Sequence, residues 1–188
     1  MFDIERMRRY ILAGRIGGIP VHIHWSLLAL SSLVLISSLG SLSHAVGALV
    51  ALLAYFASML LHEWGHVVFA RQQRCAVYGI ELYPLVGLTR FQLPPTRLAH
   101  CRIAWGGVLF QAAVGVPMVA WIQLMGYTPI EVLNAFMAVF GFLSVVMIVM
   151  NLVPIPPLDG ATAWDIVPLL LRRRVSKSGR TRGWNARR

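Results

Sequence analysis

Apolar residues dominate four stretches of the chain, roughly His24 to Gly40, Val46 to Ala70, Ile103 to Met125 and Val132 to Val153. A bilayer core takes about 20 apolar residues of helix, so each stretch is a candidate span, the first being the shortest. Polar and turn-forming residues separate them. Between the second and third lies a segment of different texture. Val77, Ile80, Leu82 and Tyr83 precede Pro84, and Val86 to Phe91 follow around Gly87, which predicts a hairpin or looped strand at the membrane face, closed by Pro94-Pro95. Ile19 to Ile23 is β-branched or alternating and predicts a short strand leading into the first span. Met1 to Gly18 mixes charge with apolar residues and ends in Gly17-Gly18, and is expected to lie along the membrane surface before a turn. An unpaired strand edge is costly in lipid, so the hairpin is expected to pair with the Pro20 strand or with an incoming peptide. After the fourth span, Pro154, Pro156 and Pro157 cannot continue a helix, and Asp159-Gly160 opens an apolar run to Leu171 that is too short to cross and predicts a half-helix.

The fold class expected is therefore a mainly α, polytopic membrane protein with about four transmembrane helices, a small membrane-surface β-hairpin or sheet, and a C-terminal half-helix. Residues 1–171 are read as one membrane domain and 172–188 as a basic, disordered cytoplasmic tail. Composition agrees. Of the 188 residues 57% are hydrophobic and 13% charged, and the mean hydropathy is +0.68, outside the range of an ordinary soluble domain.

The net charge of +10 would fit nucleic acid, but the placement of the cations argues otherwise. All 17 Lys and Arg fall before the first span, between the second and third, or after the fourth. Four spans threaded with the amino terminus inside put every cation on the cytoplasmic side, so both termini are expected there, in a bacterial or archaeal cell membrane. The basic balance thus reports orientation and contact with anionic lipid, not nucleic acid. Cys75 and Cys101 share a cytoplasmic segment and are expected to remain reduced. No cleavable signal-peptide pattern is expected at the amino terminus.

The chemistry sits at residues 62 to 66, His-Glu-Trp-Gly-His, inside the second stretch. On a helix, His62 and His66 project from one face one turn apart and can ligate a single ion. Glu63 then lies beside the metal, where it can take a proton from water. Apart from Arg71 and Arg102 at span edges, Glu63 is the lone formal charge within the spans, and Asp159 lies just beyond the last. An acidic group at the bilayer centre costs about 2.5 to 3.5 kcal/mol, and no Lys or Arg neighbours either residue to offset it. A divalent cation would offset both. Two imidazoles and one carboxylate leave an open position for water, so Asp159 is assigned as the third ligand of one Zn²⁺ per chain. The plainer role for Asp159 is a helix N-cap after a proline turn, and the two are compatible.

HEWGH on a membrane helix, followed about 90 residues later by Asn151-Leu152-Val153-Pro154-Ile155-Pro156-Pro157-Leu158-Asp159-Gly160, resembles the site-2 protease family of intramembrane zinc metalloproteases. Support runs from Gly-Gly-Ile-Pro-Val-His-Ile-His-Trp at 17 to 25, through Leu82-Tyr83-Pro84-Leu85-Val86-Gly87, to Leu171. The chain looks most like the compact members without a PDZ domain, and nothing in it resembles a CBS domain. The resemblance implies zinc on His62, His66 and Asp159, Glu63 as general base, and Asn151, with Pro154 and Gly87, positioning the substrate. The looped strand at 80 to 92 would clamp an unwound substrate segment by strand addition. The implied reaction is hydrolysis of peptide bonds in or beside transmembrane segments of membrane proteins.

Two departures from the family pattern stand out. Gly106-Gly107-Val108-Leu109-Phe110-Gln111 replaces Gly-Pro followed by Asn, which makes Gln111 either a substituted amide or a packed polar residue. Val86-Gly87 replaces a glycine pair. His22 and His24 would point the same way on a strand, which makes His24 an auxiliary candidate near the metal beside the plainer reading of interfacial packing. His44 and His100 read as interface residues, and Asn151 as a positioning group or as glue between helices. Two other classes compete: a divalent-metal transporter or sensor, which would be expected to show more polar residues across the spans, and a non-catalytic membrane partner, which does not need Glu63.

Overall fold

The computed structural model describes residues 9–171; the tail expected at 172–188 lies outside them. Strand β1 (Tyr10–Ile16) turns into β2 (Ile19–His24), helix α1 (Trp25–Ser37) and helix α2 (Leu42–Gln72) follow, and then come β3 (Val77–Leu82), β4 (Gly87–Phe91), α3 (Arg97–Met125), α4 (Glu131–Asn151) and the short α5 (Gly160–Ala163). After a turn at 164–165 the chain is helical again over 166–171, where a half-helix is expected.

The four strands form one sheet in the order β1-β2-β3-β4, antiparallel at both outer pairs and parallel between β2 and β3. The predicted hairpin does pair with the Pro20 strand, through β3. Within the opening segment residues 10–16 form a strand, which the sequence did not predict, and residues 1–8 lie outside the described residues. Gly17 and Gly18 both have positive φ, 54° and 82°, which suits a two-residue hairpin turn and brings Ile16 opposite Ile19. Gly17 packs so tightly on Trp64 that a Cβ would lie 2.8 Å from its ring, and its carbonyl accepts from Arg71 at 2.8 Å, which ties the hairpin to α2.

One face of the sheet packs on α2. Ile19, Val21, Ile80 and Leu82 form a core with Met59 and Val67 of α2 and Leu27 of α1. This contact places the sheet level with the histidine motif. Helix α1 is shorter than the expected span at 24–40. It has 13 residues, a rise of about 20 Å, and ends where residues 38–40 turn toward α2. Among the described residues three helices, α2, α3 and α4, are long and apolar enough to cross a membrane by length and composition, and α1 is a shorter apolar helix.

Large apolar side chains such as Leu53, Trp121, Leu124 and Val149 stay uncovered on these helices, an arrangement suited to lipid and poorly suited to water. Inside the bundle the contacts rely on small residues. A Cβ on Gly65 would lie 2.3 Å from the carbonyl oxygen of Gly106, so α2 and α3 meet backbone to backbone beside the motif. Ser41 and Thr96 cap α2 and α3, accepting from the backbone N–H of His44 and Ala99. Cys75 and Cys101 are buried free thiols.

Candidate metal centre

Helix α2 carries His62, Glu63 and His66, all buried, roughly 9 to 15 Å along the axis from its end at Gln72. The close approach at Gly65 and Gly106 brings α3 against them. A Cβ on Gly107 would lie 2.6 Å from His66 Nε2 and 2.7 Å from His62 Cε1, so glycine is required behind the imidazole pair.

Each ring is fixed at its Nδ1. His66 Nδ1 lies 2.8 Å from the Ile103 carbonyl and His62 Nδ1 lies 3.1 Å from Gln111 Oε1. Both partners are acceptors, so both Nδ1 atoms carry hydrogen and both Nε2 atoms present lone pairs. Those two Nε2 atoms are 3.1 Å apart.

Asp159 completes the group from across the fold. Beyond α4 the chain turns at Pro154 to Pro157 and folds back, held by two tryptophans: Trp164 donates to the Leu152 carbonyl at 2.7 Å and Trp105 to the Ala163 carbonyl at 3.0 Å. Gly160 is pressed against the carbonyls of Leu152 and Val153, where no Cβ would fit. Asp159 stands at the N-cap position of α5 but makes no side-chain cap hydrogen bond. Its Oδ2 lies instead 2.9 Å from His62 Nε2 and 3.2 Å from His66 Nε2.

Three lone-pair atoms thus converge with mutual separations of 2.9 to 3.2 Å. Three lone pairs at this range repel, so a proton or a cation must sit among them. Tetrahedral zinc with bonds of about 2.0–2.2 Å places its ligand atoms roughly 3.3 Å apart, close to this spacing, so the donor set fits the ion. Glu63 is also near enough to join a cluster with the imidazoles, with ligating atoms within 4.8 Å of one another. Its carboxylate is held elsewhere, however. Thr89 of β4 donates to Glu63 Oε2 at 2.7 Å, and a Cβ on Gly87 would lie 2.2 Å from Glu63 Oε1. Asp159 therefore faces both histidines while Glu63 is turned toward the sheet.

The group opens into a cavity of about 530 Å³. Its wall includes Asn151, Gly87, Leu85, Val86, Met147 and His100. Of the residues singled out from sequence, the structure brings together His62, Glu63, His66, Asp159, Asn151, Gly87 and Gln111, the last behind His62. Pro154 is exposed and does not line the cavity; Pro157 and Leu158 take that place.

His24 also stays away from the metal group. It caps α1 and stacks on Tyr83 at 5.3 Å, so it contacts the cavity wall only from behind. Burial, with Tyr10 and Glu81 beside it, raises the Tyr83 phenol above its ordinary pKa, so it stays a neutral donor to Glu81. Two residues were not anticipated at the site. Thr89 has no sequence signal beyond its place in the looped strand, and His100 was read as an interface residue although it lines the cavity.

No family model matches the chain. The zinc metalloprotease Rip3 of Mycobacterium tuberculosis, provisionally so named, is 30% identical over 166 residues, covering 82% of this chain and 42% of the relative. A provisionally named zinc metalloprotease of Synechocystis is 27% identical, covering 96% and 52%. A zinc metalloprotease of Methanocaldococcus jannaschii is 26% identical, covering 78% and 42%. The chain thus spans about half the length, or less, of the curated relatives it matches. Among solved structures, the site-2 protease from Methanocaldococcus jannaschii superposes with a TM-score of 0.61 at 26% identity, covering 87% of this chain and 72% of that one. In sequence the chain is similar to these zinc metalloproteases, and in fold to a site-2 protease, with the histidine motif on a membrane-capable helix.

Proposed function

We propose that the chain is an intramembrane zinc endopeptidase that hydrolyses peptide bonds in or beside transmembrane segments, with one zinc ion held by His62, His66 and Asp159. The observation that carries this reading is the convergence of His62 Nε2, His66 Nε2 and Asp159 Oδ2, beside a second carboxylate that another element holds apart. When bound, zinc supplies the positive charge that acidifies water and polarises the scissile carbonyl.

The chain's own residues do the rest. Glu63, aimed by Thr89, takes a proton from the attacking water; the oxygen adds to the carbonyl carbon, the C–N bond breaks, and Glu63 returns the proton to the departing amine. Gly87 leaves room for that carboxylate, and Asn151 on the cavity wall is suited to hydrogen-bond the substrate backbone. Among the described residues β4 pairs only with β3, so its other edge can receive an unwound substrate segment. The non-helical turn after α4 lines this cavity, which is where irregular backbone at membrane depth is tolerated. The grouping of the cations supports cytoplasmic termini in a cell membrane, with residues 1–171 acting as one unit.

The test uses Glu63→Gln and the parent chain in liposomes with a single-span membrane peptide, read by fragment mass spectrometry and metal analysis. Zinc is retained and cleavage stops in the variant. Undiminished cleavage refutes the role of Glu63.

A further inference from the structure

We propose that Gln111 is a positioning residue that decides which nitrogen of His62 faces the metal, at the head of a buried hydrogen-bond chain running through Ser58 to Ser144. This rests on the zinc reading above. A neutral imidazole carries one hydrogen, so His62 can offer Nε2 to a cation only when Nδ1 is the donor, and that requires an acceptor facing Nδ1. His66 meets this need with a backbone carbonyl, which cannot turn over. His62 depends on a side-chain amide, whose two ends have nearly the same shape. An NH₂ group facing Nδ1 would leave the imidazole hydrogen on Nε2 and block ligation.

The surroundings settle the orientation. Gln111 Nε2 lies 2.9 Å from Ser58 Oγ and 3.4 Å from Met147 Sδ. A hydroxyl accepts either end of an amide, but a thioether only accepts, so the sulfur selects the NH₂ end and turns Oε1 toward His62. Ser58 Oγ then accepts from Gln111 and shares a hydrogen bond with Ser144 Oγ at 3.0 Å, with the Met147 sulfur at 3.7 Å as a second acceptor for its hydrogen. Gln111, Ser58 and Ser144 are fully buried. A reversed amide would turn its carbonyl toward the sulfur lone pairs, and its NH₂ group would find an acceptor only in an Nδ1 without hydrogen, the tautomer that cannot ligate through Nε2.

The helices are built for this contact. Ser58, His62 and His66 follow one another at four-residue spacing on α2, and Gly107, Gln111 and Gly115 do the same on α3. The two ladders face each other, so the polar chain continues one turn beyond the metal group. Gly115 opposes Ser144, where a Cβ would lie 2.4 Å from the serine Cβ, and its absence lets α4 approach closely enough to end the chain.

The experiment uses the full chain in detergent, zinc affinity by competition with a chelator, and the imidazole N–H proton resonances of the zinc-loaded protein. Gln111→Leu weakens zinc about 10- to 100-fold and shifts the Nδ1–H resonance of His62 while that of His66 stays in place. Gln111→Glu, which keeps an acceptor oxygen, restores most of the affinity. Met147→Leu, a mild change of shape, moves the same single resonance with a smaller loss of affinity. Unchanged affinity in Gln111→Leu, an equal loss in the Leu and Glu variants, or a joint shift of both resonances would overturn the proposal. A parent chain that takes up no zinc overturns the zinc reading, and this inference with it.

Discussion

Adding one methyl group at Gly107 should reverse the usual sign of a helix substitution. In a helix interior Gly→Ala ordinarily stabilises by about 1 kcal/mol through propensity. Gly47 on α2, with nothing within 4 Å of its Cβ position, is the matched control and should follow that rule. At Gly107 the new carbon would lie 2.6 Å from His66 Nε2, and ordinary contact begins at 3.4 Å, so something must yield by about 0.8 Å. The rings cannot swing away without breaking the bonds from His62 to Gln111 and from His66 to Ile103. Helix α3 cannot retreat without opening its backbone contact at Gly65 and Gly106. Overpacking of this kind costs about 1–3 kcal/mol, which, carried by the zinc-loaded geometry, is roughly a 5- to 140-fold loss of affinity. Chelator competition on Gly107→Ala and Gly47→Ala, with thermal unfolding alongside, measures both terms. Equal zinc affinity in the two variants would refute the claim that Gly107 backs the imidazole pair.

Other outcomes follow from the same contacts. Thr89→Val keeps the shape of the side chain and removes the donor to Glu63, a bond to a charged group of about 1.5–3 kcal/mol; cleavage falls roughly 10- to 150-fold with zinc content unchanged, whereas zinc loss would point to a ligand role for Glu63. Trp164→Phe removes the donor to the Leu152 carbonyl and loosens the segment that carries Asp159. Zinc dissociation, followed by release to a colorimetric chelator, becomes faster in that variant, and an unchanged rate would count against the tryptophan pair as the holder of Asp159.

Sequence revealed the chemistry more fully than the scaffold. His62, Glu63 and His66 share a helix, so their geometry follows from a fixed period, and Asp159 was traceable because an uncompensated acid beside a membrane span is costly. The strands at 19–23 and 77–91 were legible from their β-branched texture. The β1 strand was missed because its partner is set by Gly17 and Gly18, whose positive φ values create a hairpin, while the charges before it read as a surface segment.

The apolar stretch at 24–40 holds helix α1, which stops at Ser37 because residues 38–40 turn toward α2, a turn that apolar length does not show. Gly107 and Thr89 act through contacts between separate elements, and no local pattern reports which helix face meets which strand. His24 illustrates the opposite error: correct placement on a strand did not reveal that Tyr83 stands between it and the cavity.

Anomalous scattering at the zinc edge from crystals of the protein tests the central claim most directly. The account predicts one peak, about 2.0–2.2 Å from His62 Nε2, His66 Nε2 and an Asp159 oxygen, with Glu63 outside the coordination sphere. A zinc peak bound by Glu63 in place of Asp159, or none at the histidine pair in zinc-loaded crystals, would contradict it.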